Sequence, residues 1–326
     1  MSTDPGNAVV PEPNDRGQTR GSGLDLALHH LMSLNVGDQG VLEVVAFGRS
    51  AVPRLRHLLF QREPSGLFQP RCRVVQALAA LGAREVLLEF LETDRDIPDP
   101  VERAGEDAVI NAVARTLHTS GDEVVFRRLL RLAATRRLIG PIEVIGTMRR
   151  REALHCLVAA LEDDLARPVA EDALRNFGSD AAPALLESAH TATRHDGEES
   201  ESSRRRRRSA LQLLSEIDRP AGLDADLRTS WRTDPDAQIA LLGCRFALDL
   251  GDAAERHAAV QQLIRMLNWV PWNLRRDIAD CLVAHASSAR PLLEAATDGV
   301  VVPDEDRSSA AEVQRCLLRI KRQLEA

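Results

Sequence analysis

From Gly23 onward, large apolar residues recur at helical spacing with few gaps. In the stretch Cys72–Gly82, Val74, Leu78 and Leu81 fall at i, i+4 and i+7, which lines one face of a helix. The stripes are short and they repeat. The last apolar residue of each expected first helix serves as an anchor, and the anchors are Phe47, Leu81, Leu117, Met148, Phe177, Ile217, Leu250 and Ala286, at intervals of roughly 30 to 40 residues. Three positions before each anchor stands a second apolar residue: Val44, Leu78, Ala114, Ile145, Leu174, Leu214, Ala247 and Val283. Seven positions before, several copies carry a small residue (Gly40, Ala170, Ala210, Gly243, Ala279), which lets two helices approach closely. Gly48, Gly82, Gly178 and Gly251 follow their anchors directly, as a helix end that needs positive φ requires.

The second helix of each pair has its own echo. Ser50–Leu55, Asp180–Leu185 and Ser288–Leu293 share a polar residue expected to cap the helix, a proline three places on and a leucine two after that. Proline is tolerated in a first turn because the N–H groups there have no intrahelical partner. Asp122 and Asp252, the latter with Glu255 three residues on, read as helix N-caps. Residues 1–23 are polar and rich in Pro and Gly, and read as a disordered tail. Two stretches lengthen the repeat and read as mobile loops: 93–105, with its Asp and Pro residues, and 190–203, acidic and followed by Arg204–Arg208. A last helix, capped by Ser309 with Glu312 behind it, is expected to close the array through Leu317, Leu318 and Leu324. The pattern therefore predicts an all-α chain of eight to nine helical hairpins over 24–326, stacked as an α-solenoid with a right-handed superhelix.

Composition sharpens this. Aromatics make up 3% of the 326 residues and Tyr is absent, so the core must be built from Leu, Val, Ile and Ala, which suits helices better than sheets. The net charge of -7 argues against nucleic acid or an anionic membrane as partner. Lys321 is the one lysine, which removes P-loop, Schiff-base and Ser-Lys chemistry unless Lys321 itself serves, and the Arg bias reads first as the mark of a GC-rich bacterial genome. Five scattered cysteines without a C-x-x-C pair read as reduced core thiols. With no apolar leader and no run of about 18 apolar residues, a cytoplasmic chain is expected.

The anchor-Gly pairs Phe47-Gly48, Leu81-Gly82, Phe177-Gly178 and Leu250-Gly251, together with the proline-bearing hairpins, resemble the HEAT repeat family, in particular the bacterial PBS-lyase-type HEAT-like repeats. The resemblance spans roughly 24–326 and implies an armadillo-like helical scaffold for protein binding. It also carries a catalytic alternative, since HEAT-like proteins include lyase subunits, hydroxylases and DNA glycosylases.

Candidate chemistry is sparse. The di-iron hydroxylases of the HEAT class use His-Glu dipeptides, and none occurs here. Two Glu-x-x-His pairs, Glu152/His155 and Glu187/His190, put two potential metal ligands on one helix face, but two pairs are close to chance for nine histidines, and they sit at different offsets from their anchors. They read as unconnected surface residues, with no metal or cofactor expected. No nucleophile elbow or Gly-rich phosphate loop is present. Trp269 and Trp272, beside Arg275, Arg276 and Asp277, are the local feature a base-binding site would use; Trp272, at a helix start after Pro271, reads instead as a packing residue. Acidic pairs such as Asp224/Asp226, Asp234/Asp236 and Asp304/Asp306 read as caps. The strongest charge feature lies between Arg127 and Arg151, where eight arginines face one acid, Glu143. Arg127, Arg128, Arg131, Arg149 and Arg150 are the candidate contacts for a protein partner with an acidic segment on the concave face of the array, which the second helices of HEAT-type repeats form, because Arg forks grip carboxylates bidentately. The competing reading is a solvated face paired with acids of neighbouring repeats, and Arg204–Arg208 are expected to pair locally.

Overall fold

The computed structural model describes residues 15–62, 64–93, 95–118, 122–217, 223–298, 314 and 317–323. The chain is all-α, apart from one two-stranded hairpin among the described residues. It divides into two compact units, Met1–Arg149 and Arg150–Ala326.

The first unit contains α1 (Asp15–Met32), α2 (Gly37–Ala46), α3 (Val52–Phe60), α4 (Gln69–Ala80), α5 (Arg84–Glu92), α6 (Pro100–Thr116), α7 (Glu123–Arg136) and α8 (Ile139–Met148). Helices α2, α4, α6 and α8 pack in one row, each on the next, while α3, α5 and α7 pack in a second. The second unit contains α9 (Leu154–Ala160), α10 (Arg167–Phe177), α11 (Ala182–His190), the strands β1 (Arg194–His195) and β2 (Glu198–Glu199), then α12 (Glu201–Glu216), α13 (Ala225–Arg232), α14 (Ala237–Leu250), α15 (Ala253–Met266), α16 (Trp272–Ala284) and α17 (Ala286–Asp298). The same alternation holds, with α10, α12, α14 and α16 in one row, α9 on α11, and α15 on α17. Helix α13 departs from it by packing chiefly on α14.

Seven of the eight anchors sit at the last residue or C-cap of an even-numbered helix, α2 through α14. The eighth, Ala286, is already the first residue of α17, because α16 ends at Ala284. The apolar residues three places before the anchors are buried from Val44 to Ala247 and line the core between rows. The small residues do what their size suggests. A Cβ on Gly40 would lie 2.2 Å from the Leu31 backbone nitrogen of α1, and one on Gly243 would lie 2.4 Å from that of Arg232 in α13. Gly48, Gly82 and Gly178 have φ of 64°, 66° and 58°. Gly251 does not: its φ is -75°, because Asp252 caps α15 immediately afterwards and the chain passes from helix to cap without a left-handed turn. Where no glycine was available, Arg137 and Arg149 take the left-handed position after α7 and α8.

Asp99, Asp122, Ser200, Asp224, Asp236 and Asp252 each cap a helix through a side-chain oxygen, and Asp252 with Glu255 completes a capping box. Ser50 and Asp180 do not cap. Short 3-10 turns, Gly48–Ala51 and Gly178–Ala181, lead into α3 and α11, Ser50 instead bonds the Phe47 carbonyl, and Pro53 and Pro183 sit in the first helical turns. Pro291 lies inside α17 rather than at its start.

Three segment boundaries differ from the sequence expectation. Helix α1 begins at Asp15, inside the expected tail, of which residues 1–14 lie outside the described residues. Among the described residues of the 93–105 loop, those up to Asp99 are non-helical and those from Pro100 on are helical, because the Asp99 carboxylate accepts from the Val101 and Glu102 N–H groups and Pro100 supplies the first-turn φ. The 190–203 loop forms an antiparallel hairpin, Arg194 opposite Glu199, turned by Asp196 and Gly197 with φ of 53° and 87°. Asp-Gly suits a two-residue hairpin turn because both residues reach positive φ readily. In the final helical stretch, Leu317 and Ile320 are buried against the α14–α17 core while Leu318 is exposed; Ser309, Glu312, Leu324 and Asp304/Asp306 lie outside the described residues.

Cys156, Cys244 and Cys281 are buried free thiols, Cys72 is half-buried, and Cys316 lies outside the described residues. Burial pushes the Cys244 thiol up to about 12 and Cys281 to about 11. Both are therefore protonated at about pH 8, where an ordinary cysteine is partly thiolate. Alkylation of the native protein at that pH should spare these two positions until the chain unfolds, as peptide mass spectrometry would show; labelling of either at the rate of a free thiol would contradict it. Among the described residues, no helix is long and apolar enough to cross a membrane.

Candidate functional site

Helix α7 starts at its Asp122 cap and buries Val125, Phe126, Leu129, Leu132 and Ala133, because apolar residues recur along that face. The arginines therefore fall on the other side. Arg127 is 77% exposed and pairs with Glu123 one turn back. Arg131, a turn further on, is also exposed, and Val124, itself exposed, begins the same stripe. Arg128 has a different duty: its Nε donates to the Leu91 carbonyl at 2.6 Å, satisfying one of the acceptors that the end of α5 leaves open. Arg136 pairs with Asp107 of α6, and Glu143, the lone acid of the stretch, is taken by Arg115 of α6.

Of the five predicted contact residues, the structure places Arg127, Arg128 and Arg131 together on α7. Arg149 is the exposed left-handed residue that ends α8 in the same unit, and Arg150 is the half-buried first residue of the second unit. Arg151 pairs with Asp180 at 3.0 Å. Pairing with acids from neighbouring helices thus accounts for part of the cluster, and Arg127 and Arg131 are the two that face solvent on α7.

Similar cross-links recur between successive helix pairs: Arg56 with Glu89, Arg84 with Asp122, Arg175 with Glu216, and Arg228 with Glu255. The hydrogen bond from Arg175 holds the Glu216 carboxyl below the usual carboxylate range, and Arg56 does the same to Glu89. The basic run at the start of α12 is also locally matched. Arg205 meets Asp164, Arg206 meets Glu162, Arg207 meets Glu199 and Asp234, and Arg208 meets Glu201 and Asp236.

The two Glu-x-x-His pairs are split by the fold, and one member of each reaches a shared place. His155 of α9 and Glu187 of α11 both line a cavity of about 430 Å³ in the second unit, with Leu154, Val158, Ser188 and Arg206 among its other walls. Glu152 and His190 are exposed and are not part of that lining. Ser188 belongs to no sequence motif, and Arg206 only to the basic run 204–208. The available signal was register: α9 and α11 are neighbours in one row, so residues on their facing sides converge. Among the described residues, no group of three or more His, Cys, Asp or Glu side chains is placed to share a metal ion.

Trp272 does not pack. It is 73% exposed at the first residue of α16, and Trp269 is exposed as well. The packed tryptophan is Trp231 of α13, fully buried and tilted against Phe246 with ring centroids 5.7 Å apart. Close approach at Gly243 makes room for it, since the missing Cβ would lie 2.8 Å from Trp231 Cβ.

No protein-family model matches the chain, and no curated protein shows significant similarity to it.

Proposed function

We propose that the chain is a non-catalytic protein-binding scaffold, each unit being a stack of HEAT-type helical hairpins, and that the exposed arginine stripe of α7 receives an acidic segment of a protein partner. The observation that carries this reading is the alternation of contacts: apart from α1 and α13, even-numbered helices pack on even-numbered ones and odd on odd, so most pairs bury their apolar faces against their sequence neighbours. In a stack of this kind the second helices form a concave inner face along which a partner can lie. The α7 stripe adds a chemical preference, since Arg127 pairs at the surface with Glu123, an exposed acid of its own helix, and exposed pairs of this kind exchange at little cost.

The test separates binding from folding. Arg127→Glu together with Arg131→Glu reverses two solvent-facing charges while leaving Arg128, which completes α5, in place. The double variant should keep its helicity and melting temperature and should lose affinity for a labelled Glu/Asp-rich peptide, and for whatever the native chain captures from its host. The affinity of the native chain for the peptide should fall with added salt. Equal capture by the native and variant chains would remove the proposal.

A further inference from the structure

Trp269 and Trp272 are two of the three tryptophans in a chain without tyrosine, and they are 55% and 73% exposed. Among the described residues, neither indole stacks on another ring or lies under a guanidinium group. The turn that carries them is nevertheless fixed. Val270, between them, is 1% exposed, and the N–H groups of Trp269 and Val270 both donate to the Met266 carbonyl at the end of α15. Pro271, in an extended conformation, leads directly into α16. Two large apolar side chains are thus held in water on a backbone that needs no further ordering, the condition under which surface aromatics contribute most to association.

The charge beside them is basic. Arg276 follows Trp272 by four residues and so shares its face of α16, and Arg265 stands in the last turn of α15, four residues before Trp269. Both arginines are exposed, and neither has an ion-pair partner among the described residues. The acids of α16 are placed elsewhere: Asp277 lines a cavity toward α12 and α14, and Asp280 stands roughly 12 Å further along the helix axis than Trp272. Tryptophan and arginine are the residue types that dominate the energetic centres of protein interfaces. A long polyanion would also meet indoles and guanidinium groups, but the net charge of -7 opposes it far more than it opposes a short peptide. Flat pyrrolidine rings cover exposed indoles at the least entropic cost, because a polyproline II segment is already extended before it binds. We propose that this corner of the second unit docks a proline-rich segment of a partner protein that carries acidic residues, its prolines against Trp269 and Trp272 and its carboxylates against Arg265 and Arg276. The surface lies wholly in the second unit and stands or falls independently of the α7 stripe.

The probe is a peptide of four Pro-Pro-Glu repeats with blocked ends, in which three residues per turn put the glutamates on one edge and the prolines on the other two. Titrated into the full chain and read by calorimetry and NMR, it should bind saturably with a Kd below about 1 mM. It should shift the indole N–H signals of Trp269 and Trp272 and leave that of the buried Trp231 in place. Gly-Ser-Glu repeats keep the charge without the prolines, and Pro-Pro-Lys repeats keep the prolines and reverse the charge; each should bind at least about tenfold more weakly. Trp272→Ala and Arg276→Glu, both at exposed positions, should each weaken binding of the Pro-Pro-Glu peptide by about tenfold with the melting temperature unchanged. The proposal is overturned if that peptide shows no saturable binding up to about 1 mM, if either control peptide equals it, or if either variant binds it as well as the native chain does. Tighter binding of a thymine oligonucleotide, or of phosphatidylserine vesicles, than of the peptide would overturn it too and assign the corner to a polyanion.

Discussion

Glu106→Ala should lower the unfolding free energy of the first unit by about 3–5 kcal/mol, the range found when one partner of a buried ion pair is removed. Glu106 is 1% exposed and accepts from two guanidinium groups, Arg71 Nη1 at 2.6 Å and Arg95 Nη1 at 2.7 Å. Arg71 is itself buried, and its remaining donors, Nε and Nη2, both go to the Leu59 carbonyl near the end of α3. Arg95 lies over the Phe90 ring at 3.9 Å, and burial already holds its guanidinium below the usual arginine range. Removing the one carboxylate would strand the buried Arg71 cation and leave the half-buried Arg95 without its counter-ion. Glu106→Gln keeps the shape and one acceptor but not the charge, so its loss should fall between those of the native chain and the alanine variant. Urea unfolding measures both. A shift in midpoint of the expected size with an unchanged slope supports the account. A loss below about 1 kcal/mol, the scale of an exposed pair, would show that the guanidinium groups rehydrate.

The helical register was legible in the sequence because it depends on local periodicity. Phe47, Leu81, Leu117, Met148, Phe177, Ile217 and Leu250 each end a helix, and the residues three places earlier are buried, since a 3.6-residue period leaves few other ways to hide them. Gly40 and Gly243 could be read for the same reason: a small residue at a fixed offset in a repeat signals a close neighbour. Helix starts were harder where two chemistries use the same residues. Asp99-Pro100 suits a loop and a capped helix equally well, and the hydrogen bonds from Val101 and Glu102 decided for the helix. Asp196-Gly197 was hidden by the charge around it, although the hairpin depends on backbone dihedrals that Asp and Gly reach easily.

Site chemistry was less legible because it is assembled across helix pairs. Glu152/His155 and Glu187/His190 are neighbours by sequence spacing, yet the cavity takes His155 from one pair and Glu187 from the other. Spacing along one helix says which residues share its face and says nothing about which residue of another helix that face meets. The arginines of α7 show the same limit from the other side. Composition identified the cluster, while the partners that distinguish Arg128 and Arg136 from Arg131 come from α5 and α6.

One long-range feature did leave a trace. Arg71 and Arg207 stand at the same offset before their anchors, residues 81 and 217, and each reaches back to the penultimate carbonyl of the preceding odd-numbered helix, Leu59 of α3 and Ala189 of α11. The repeat thus reuses one device, a buried arginine that closes the C-terminus of the helix before it, and in both places the remaining charge is met by buried carboxylates. Arg207→Ala is accordingly expected to cost the second unit about 3–5 kcal/mol. It would leave Glu199 and Asp234, whose side chains are 10% and 8% exposed, without their shared cation, and the Ala189 carbonyl without a donor. Combining Arg207→Met with Glu199→Gln and Asp234→Asn removes the charges together, and should cost less than the single alanine change even though it alters more atoms, because no isolated charge stays buried. Hydrogen exchange locates the damage: because α12 packs on α9, α10, α11 and α14, lost protection should centre on α11, α12 and the Asp234 turn before α14, and fade toward α16. Uniform loss across the second unit would mean that its helices unfold as one cooperative body, so that a single buried arginine governs all of them.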